Sequence, residues 1–380
     1  MAEGDIGAVI DTLTFDAVRG NAPCMVHVGG DVYAIAFEGP DSDGWLVTVS
    51  INAAGAISDA VIDSLEFDEV NCASADIIHI AGDVFAIVYA GETFHGYIKT
   101  VSIDAAGNIG NAVIDTLEYD TVSGQYPSIA LVYGDVYAIA LSGEALDGFI
   151  KTVSINAAGA ISDAVIDSYE FDTVGCYTSR LLKVAGNTFA IVYTDNSLDG
   201  WVKTITIADD GTITKAIIDS LEFNGSQGRY PDIKHVAGDI FAIVHCGPLN
   251  DGYIVTVSIN AAGAVSDTVV DSWIFEPGAA YYPKILHVSG NVFAVSYRDV
   301  AGDGMLVTLT VADDGTITEA WIDSLEFDPA DCTFSLFVHV GGNVYAIAYA
   351  GTGAVGKLVT TGIETIPLGK IHHLMMMGID

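Results

Sequence analysis

The tetrapeptide Ala-Val-Ile-Asp, with drift such as Thr-Val-Val-Asp and Ala-Trp-Ile-Asp, returns every 52 residues along the chain. It places an aspartate at Asp11, Asp63, Asp115, Asp167, Asp219, Asp271 and Asp323. Seven such units fill almost all of the 380 residues, from about residue 6 to residue 369. A period of this length makes each unit one supersecondary element that cannot bury its apolar face alone and must stack on its neighbours.

Each unit reads as four short strands, in the first copy near 8–15, 23–28, 31–37 and 44–52, before the next copy opens at about residue 57. Val, Ile, Tyr, Phe and Thr dominate these runs, and two-residue alternation shows in Val-Ser-Ile-Asn and Val-Ile-Asp-Ser-Leu-Glu-Phe-Asp. Gly-Asp or Gly-Asn separates the second run from the third at Gly30, Gly82, Gly134, Gly186, Gly238, Gly290 and Gly342. A second glycine closes the next hairpin at Gly55, Gly107, Gly159, Gly211, Gly263 and Gly315. Glycine accepts the positive φ of such tight turns without a Cβ clash. No helical periodicity competes.

Four antiparallel strands per repeat, seven times over, predict an all-β fold: a seven-bladed β-propeller over residues 6–369, followed by a tail at 370–380. An open row of blades leaves an apolar sheet face exposed at each end, and closing the ring removes both. The chain also begins with the strand that elsewhere ends a blade, and the seventh unit lacks one of its own. The N-terminal strand is therefore expected to complete the last blade. In blade length and strand order the chain resembles the kelch-like and sialidase-repeat propellers. The Gly-Gly doublet with downstream Trp of kelch repeats, the Ser-x-Asp-x-Gly-x-x-Trp box of sialidases and the Gly-His/Trp-Asp pair of other propellers are absent, so the resemblance implies a fold and no catalytic residues.

Charge narrows the function classes. With 50 acidic and 13 basic residues the net charge is −37, yet only 17% of residues are charged, so what is scarce is Lys and Arg. Nucleic acid and anionic lipid both need clustered positive charge, which excludes them as expected partners. The 51% hydrophobic content supplies a large core. No apolar run approaches the roughly 18 residues of a membrane span. The opening residues show no secretory signal, and an extracellular or particle-surface setting is the expectation from acidity alone. Five widely spaced cysteines, without a CxxC pair, read as free thiols rather than a disulfide framework.

Residues that recur in every unit read as structure. The sevenfold aspartate shares a strand face with an aromatic (Phe15, Phe67, Tyr119, Phe171, Phe223, Phe275, Phe327) and is expected to be a hydrogen-bonded strut. Its expected partners are turn amides or the threonine at Thr48, Thr100, Thr152, Thr204, Thr256, Thr308 and Thr360. His27, His79, His235, His287 and His339 share one position and are expected to bond nearby backbone or the repeated aspartate. Equivalent positions around a seven-fold channel are too far apart to share an ion, so no metal or other cofactor is expected. Lys99, Lys151 and Lys203 recur in three successive units, with stems expected to pack between blades.

Function is sought where the symmetry breaks. The loops leading into each inner strand and those between the middle strands emerge at one end of the blade and vary, as in 17–22, 38–43, 121–126, 224–230, 277–282 and 298–303. Variable loops on a repeated scaffold are where specificity resides. All four arginines, Arg19, Arg180, Arg229 and Arg298, map to this end, with Tyr126, Tyr177, Tyr230, Tyr281 and Tyr282 nearby. Forked hydrogen bonds and ring stacking from such residues suit carboxylates and sugars. The leading expectation is a non-catalytic propeller binding a glycan, a small anionic ligand or a protein partner through this face. The alternative is a self-assembling subunit, a homo-oligomer, filament or virion component built through His372, His373, Leu374, Met375, Met376 and Met377 of the tail. A sialidase-like hydrolase or lyase is the least favoured reading, because no asymmetric carboxylate pair stands out.

Overall fold

The computed structural model describes residues 2–365; the tail at 370–380 and its proposed assembly residues lie outside the described residues. Seven four-stranded antiparallel sheets form seven blades. Blade 1 runs outward from the axis as Asn21–Gly29, Val32–Glu38, Gly44–Ser50 and Asp63–Asp68. Blades 2 to 6 repeat this order, and blade 7 takes its first three strands from Thr333–Gly341, Val344–Ala350 and Gly356–Ile363. Its fourth strand is the N-terminal Ile6–Asp16, paired antiparallel with Leu13 opposite Leu358. The closure read from the repeat is the one observed.

The alternation of the second strand explains how the ring packs. In blade 1, Ala34 and Ala36 face blade 2, against Phe85, Ile87 and Tyr89, while Tyr33, Ile35 and Phe37 face blade 7. Small residues on one face leave room for the aromatics of the next blade, a fit between pleated faces that recurs at each junction. Seven apolar layers result, each drawn from two adjacent blades, and the layer joining Phe15, Ala346 and Leu358 to Tyr33 and Phe37 closes the circle.

The repeated polar residues clasp blades together. Asp11 and Thr360 are register partners in blade 7. Asp11 accepts from the Ile57 amide at 2.9 Å, and Thr360 donates to the Gly55 carbonyl at 2.5 Å, so the pair grips one hairpin of blade 1 from both sides. The same two bonds join Asp63 and Thr48 to Ile109 and Gly107, and recur around the ring. At the last junction Thr308 and Asp323 hold Gly4 and Ile6 of the N-terminal segment instead. Of the two expected partners of the aspartate, the hairpin amide is the one observed and the threonine is not: both side chains point at the neighbouring hairpin, whose orphan amide and carbonyl need partners. The five histidines bond backbone, each through Nε2 to the carbonyl of its turn glycine, as His27 does to Gly30 at 2.9 Å.

The lysine run has a structural answer. Lys99, Lys151 and Lys203 reach back to Asp68, Asp120 and Asp172 of the preceding blade at 2.8, 2.7 and 2.6 Å. Tyr89 and Tyr193 add hydroxyl bonds to Asp68 and Asp172, whereas Leu141 fills the corresponding place beside Asp120. Burial alone would raise the Asp68 and Asp172 carboxyls; the lysine ammonium, the tyrosine hydroxyl and the turn amides outweigh it and hold both below the ordinary value.

Candidate functional site

Each inner strand carries one extra residue at its start relative to its partner strand, and that residue is left-handed. The column is Ala22, Ser74, Tyr126, Thr178, Tyr230, Tyr282 and Phe334, with φ between 45° and 55°. Non-glycine residues enter this region at a cost of order 1 kcal/mol or more. Here the bulge turns the column toward the axis, where these residues form a collar around a cavity of about 340 Å³.

The collar is uneven. Tyr230, Tyr282 and Phe334 stack in succession, with ring centroids 4.4 and 4.3 Å apart, and Tyr126 stands opposite with Ala22, Ser74 and Thr178. Burial, then its Tyr282 neighbour, pushes the Tyr230 phenol up to about 12. Two residues further along each inner strand comes a second column: Cys24, Asp76, Ser128, Arg180, Asp232, Lys284 and Leu336. No two neighbouring blades present the same residue there.

The second column sorts its charges. Asp76 accepts from the Ile77 amide of its own strand and the Ile129 amide of the next inner strand, both at 3.1 Å, and Asp232 accepts from the Ile285 amide of the next inner strand at 3.0 Å. Burial raises the Asp76 carboxyl, against the pull of Arg180 and those amides. Arg180 lies 3.6 Å from Asp76 and 3.5 Å from Asp232, distances of charge proximity rather than of good hydrogen bonds. Lys284 has no carboxylate within 4 Å among the described residues. Burial, then repulsion from Arg180, pushes its ammonium down to about 8. Arg180 and Lys284 line the cavity, whereas Asp76 and Asp232 do not. The wall therefore offers the Lys284 ammonium, and an Arg180 guanidinium that two carboxylates approach without a good hydrogen bond, beside an aromatic arc.

Of the residues singled out in the sequence, Tyr126, Arg180, Tyr230 and Tyr282 come together at this mouth. The others are spent on the rim. Arg19 pairs with Glu38, Arg229 bonds Asn250 and lies over Tyr230, and Arg298 sits 3.4 Å from Asp331 and over Tyr281. Lys284, Phe334, Asp76 and Asp232 were not anticipated. Reading the repeat by columns rather than by loops would have found them, since their columns are among the least uniform of any inner-strand position.

The five cysteines are buried and free. Burial raises the thiols of Cys24, Cys72, Cys176, Cys246 and Cys332, which removes them as nucleophiles. No group of three or more His, Cys, Asp or Glu placed to hold a metal occurs among the described residues.

No protein-family model matches the chain, and no curated protein matches it in sequence. Solved structures match its shape. A lectin from Burkholderia pseudomallei is 12% identical with a TM-score of 0.61, over 91% of this chain and 96% of that one. A putative 6-phosphogluconolactonase from Bacteroides uniformis is 12% identical with a TM-score of 0.60, over 80% and 85%. BBS1N, solved in complex with ARL6DN, is 12% identical with a TM-score of 0.55, over 95% and 98%. The chain is a seven-bladed β-propeller. At such identities the likeness speaks for the fold alone.

Proposed function

We propose that this protein is a non-catalytic binding propeller that takes a glycan or small acidic ligand at the loop-end mouth of its axial channel. One observation carries the reading. A scaffold that repeats its struts at every junction abandons repetition in two of the columns that reach the cavity, and places aromatic rings and cations there. Selection for packing alone favours the same residue in each blade, as it does for the aspartate–threonine clasp. A concave, mostly apolar site with a few convergent polar groups is the usual form of a small-ligand site. The matched folds include a lectin and a propeller solved with a protein partner, which accords with binding as the use of such a scaffold.

A glycan and small-acid array tests the proposal, with Tyr282→Ala and Arg180→Gln as mouth variants and Arg298→Ala as a rim control. The expected result is at least one ligand class retained by wild type and Arg298→Ala and lost by both mouth variants. Equal signals from all four proteins would overturn it.

A further inference from the structure

We infer that the mouth recognises a carboxylate carried on a six-membered ring, with the carboxylate held by Arg180 and Lys284 and the ring laid against Tyr230, Tyr282 and Phe334. The inference rests on the mouth being the binding site and names the ligand chemistry it selects.

The argument begins with donors. Of the thirteen Lys and Arg residues, most spend their charge on partners within the fold: Lys99, Lys151, Lys203, Lys215, Lys357, Arg19 and Arg298 each face a carboxylate. Lys183 donates to the Val132 carbonyl. Lys284 differs from these: it lines a cavity and has neither an ion pair nor a hydrogen bond among the described residues. Arg180, beside it in the wall, has five N–H groups and no hydrogen bond within ordinary distance. Both side chains are half-buried at the cavity wall, Arg180 26% exposed, so a ligand acceptor would exchange with solvent for charge-assisted bonds in a partly dry site.

Charge selects the acceptor. Asp76 and Asp232 approach Arg180 from the sides but are turned onto the Ile77, Ile129 and Ile285 amides, which leaves the cavity-facing side of the cations open. The protein's net charge of −37 repels anions at long range, but salt screens that field over about 8 Å at physiological ionic strength. Contact with Arg180 and Lys284 then decides. A carboxylate matches the planar fork of the guanidinium.

Shape selects the body. The rings of Tyr230, Tyr282 and Phe334 are tilted 48° and 39° to one another, giving a curved apolar wall continuous with Pro231 and Leu336. A six-membered ring with an apolar face stacks on such a wall, whether a sugar presenting its C–H face or an aromatic ring. Ser74 and Thr178 line the opposite arc, where the Ser74 hydroxyl can meet those of a ligand.

Proton linkage gives the inference a second signature. The charged groups facing Lys284 are Arg180, Asp76 and Asp232. A bound carboxylate adds to the two aspartates in favouring the ammonium, so binding takes up protons near pH 8. Affinity is level below about pH 7.5 and falls as Lys284 loses its proton above pH 8.

The experiment is equilibrium dialysis of the full-length protein at pH 6.5 and 9.5. Its probes are two matched pairs, glucuronate with methyl glucoside and 4-hydroxyphenylacetate with 4-hydroxyphenylethanol, and inorganic phosphate alone. The acid of at least one pair is expected to bind at least ten-fold more tightly than its neutral partner at pH 6.5, and to lose most of that advantage at pH 9.5. Lys284→Met and Arg180→Gln each remove the advantage while leaving the weak neutral binding in place, and thermal melts confirm that both variants fold. Which pair responds separates a sugar acid from an aromatic acid. Neutral partners binding as tightly, phosphate binding as tightly as the acids, or an unchanged Lys284→Met variant would each overturn the inference. If no acid binds while an array ligand still depends on Tyr282, the carboxylate assignment fails and the binding mouth survives. If no ligand depends on Tyr282 or Arg180, both fail.

Discussion

The lysine column offers a controlled measurement of what joins one blade to the next. Lys203→Met removes the ammonium from Asp172, which keeps the Tyr193 hydroxyl and the Val174 and Gly175 amides. Lys151→Met removes the ammonium from Asp120, which keeps only the Val122 and Ser123 amides, because Leu141 stands in the tyrosine's place. Breaking a buried pair costs about 3–5 kcal/mol, and a hydrogen bond to a charged group is worth about 1.5–3 kcal/mol. The lysine side chains retain 14% and 16% exposure and the aspartates 10% and 9%, so solvent softens both losses. We expect about 2 kcal/mol for Lys203→Met and about 3–4 kcal/mol for Lys151→Met. Packing cannot account for the gap, since Val255 and Val307 hold the same position in other blades. The assay is the urea midpoint at pH 7 with the slope checked for constancy. It should be repeated in acid: the Asp172 carboxyl is held below the ordinary aspartate value of about 3.9, so its contribution is full above that value. The contribution is lost as pH falls through the lower folded value, and the Lys203→Met penalty shrinks there. A Lys151→Met cost equal to or below that of Lys203→Met would refute the account of these junctions.

Other variants probe single features. Glu276 bonds Tyr297 with no lysine beside it, and burial raises its carboxyl. Glu276→Gln keeps an acceptor and removes a charge, so the melting temperature should rise at pH 7 and change little below the ordinary glutamate value, where the carboxyl is protonated in both states. His245 is fully buried, and burial pushes it down to about 3; its Nε2 accepts from Asn224 and its Nδ1 has no partner. The double variant Asn224→Asp, His245→Tyr recreates the Asp68–Tyr89 pair and should melt higher than either single variant by about 1 kcal/mol equivalent. A thiol reagent should find no reactive cysteine in the native protein and five after denaturation, and any fast-reacting thiol would contradict the burial of these side chains.

How much could be read beforehand depended on whether a feature obeys the period. The blade count, the N-terminal closing strand and the backbone role of His27 and its equivalents follow from one unit multiplied by seven. The aspartate strut was legible as a strut with a turn amide among its expected partners, but the blade that supplies the amide was not. Asp11 finds Ile57 across a blade junction, and the strand alternation that made Thr360 its neighbour could not show that both reach for the same hairpin. The lysine run was opaque for a similar reason: Lys99 meets Asp68 from another blade and another column. At the mouth, attention to loops found Arg180 and the tyrosines but missed Lys284 and Phe334. Those two lie just inside the inner strands, where the left-handed bulge redirects side chains that simple alternation would have hidden.

The account's central claim is that the asymmetric mouth is where this ring meets its ligand. A crystal structure of the protein with its strongest array ligand tests it most directly. The account predicts density seated against Tyr282 and within hydrogen-bond distance of Arg180. A ligand held instead between two blades, on the hairpin face, or at the rim beside Arg19 or Arg298 would contradict it.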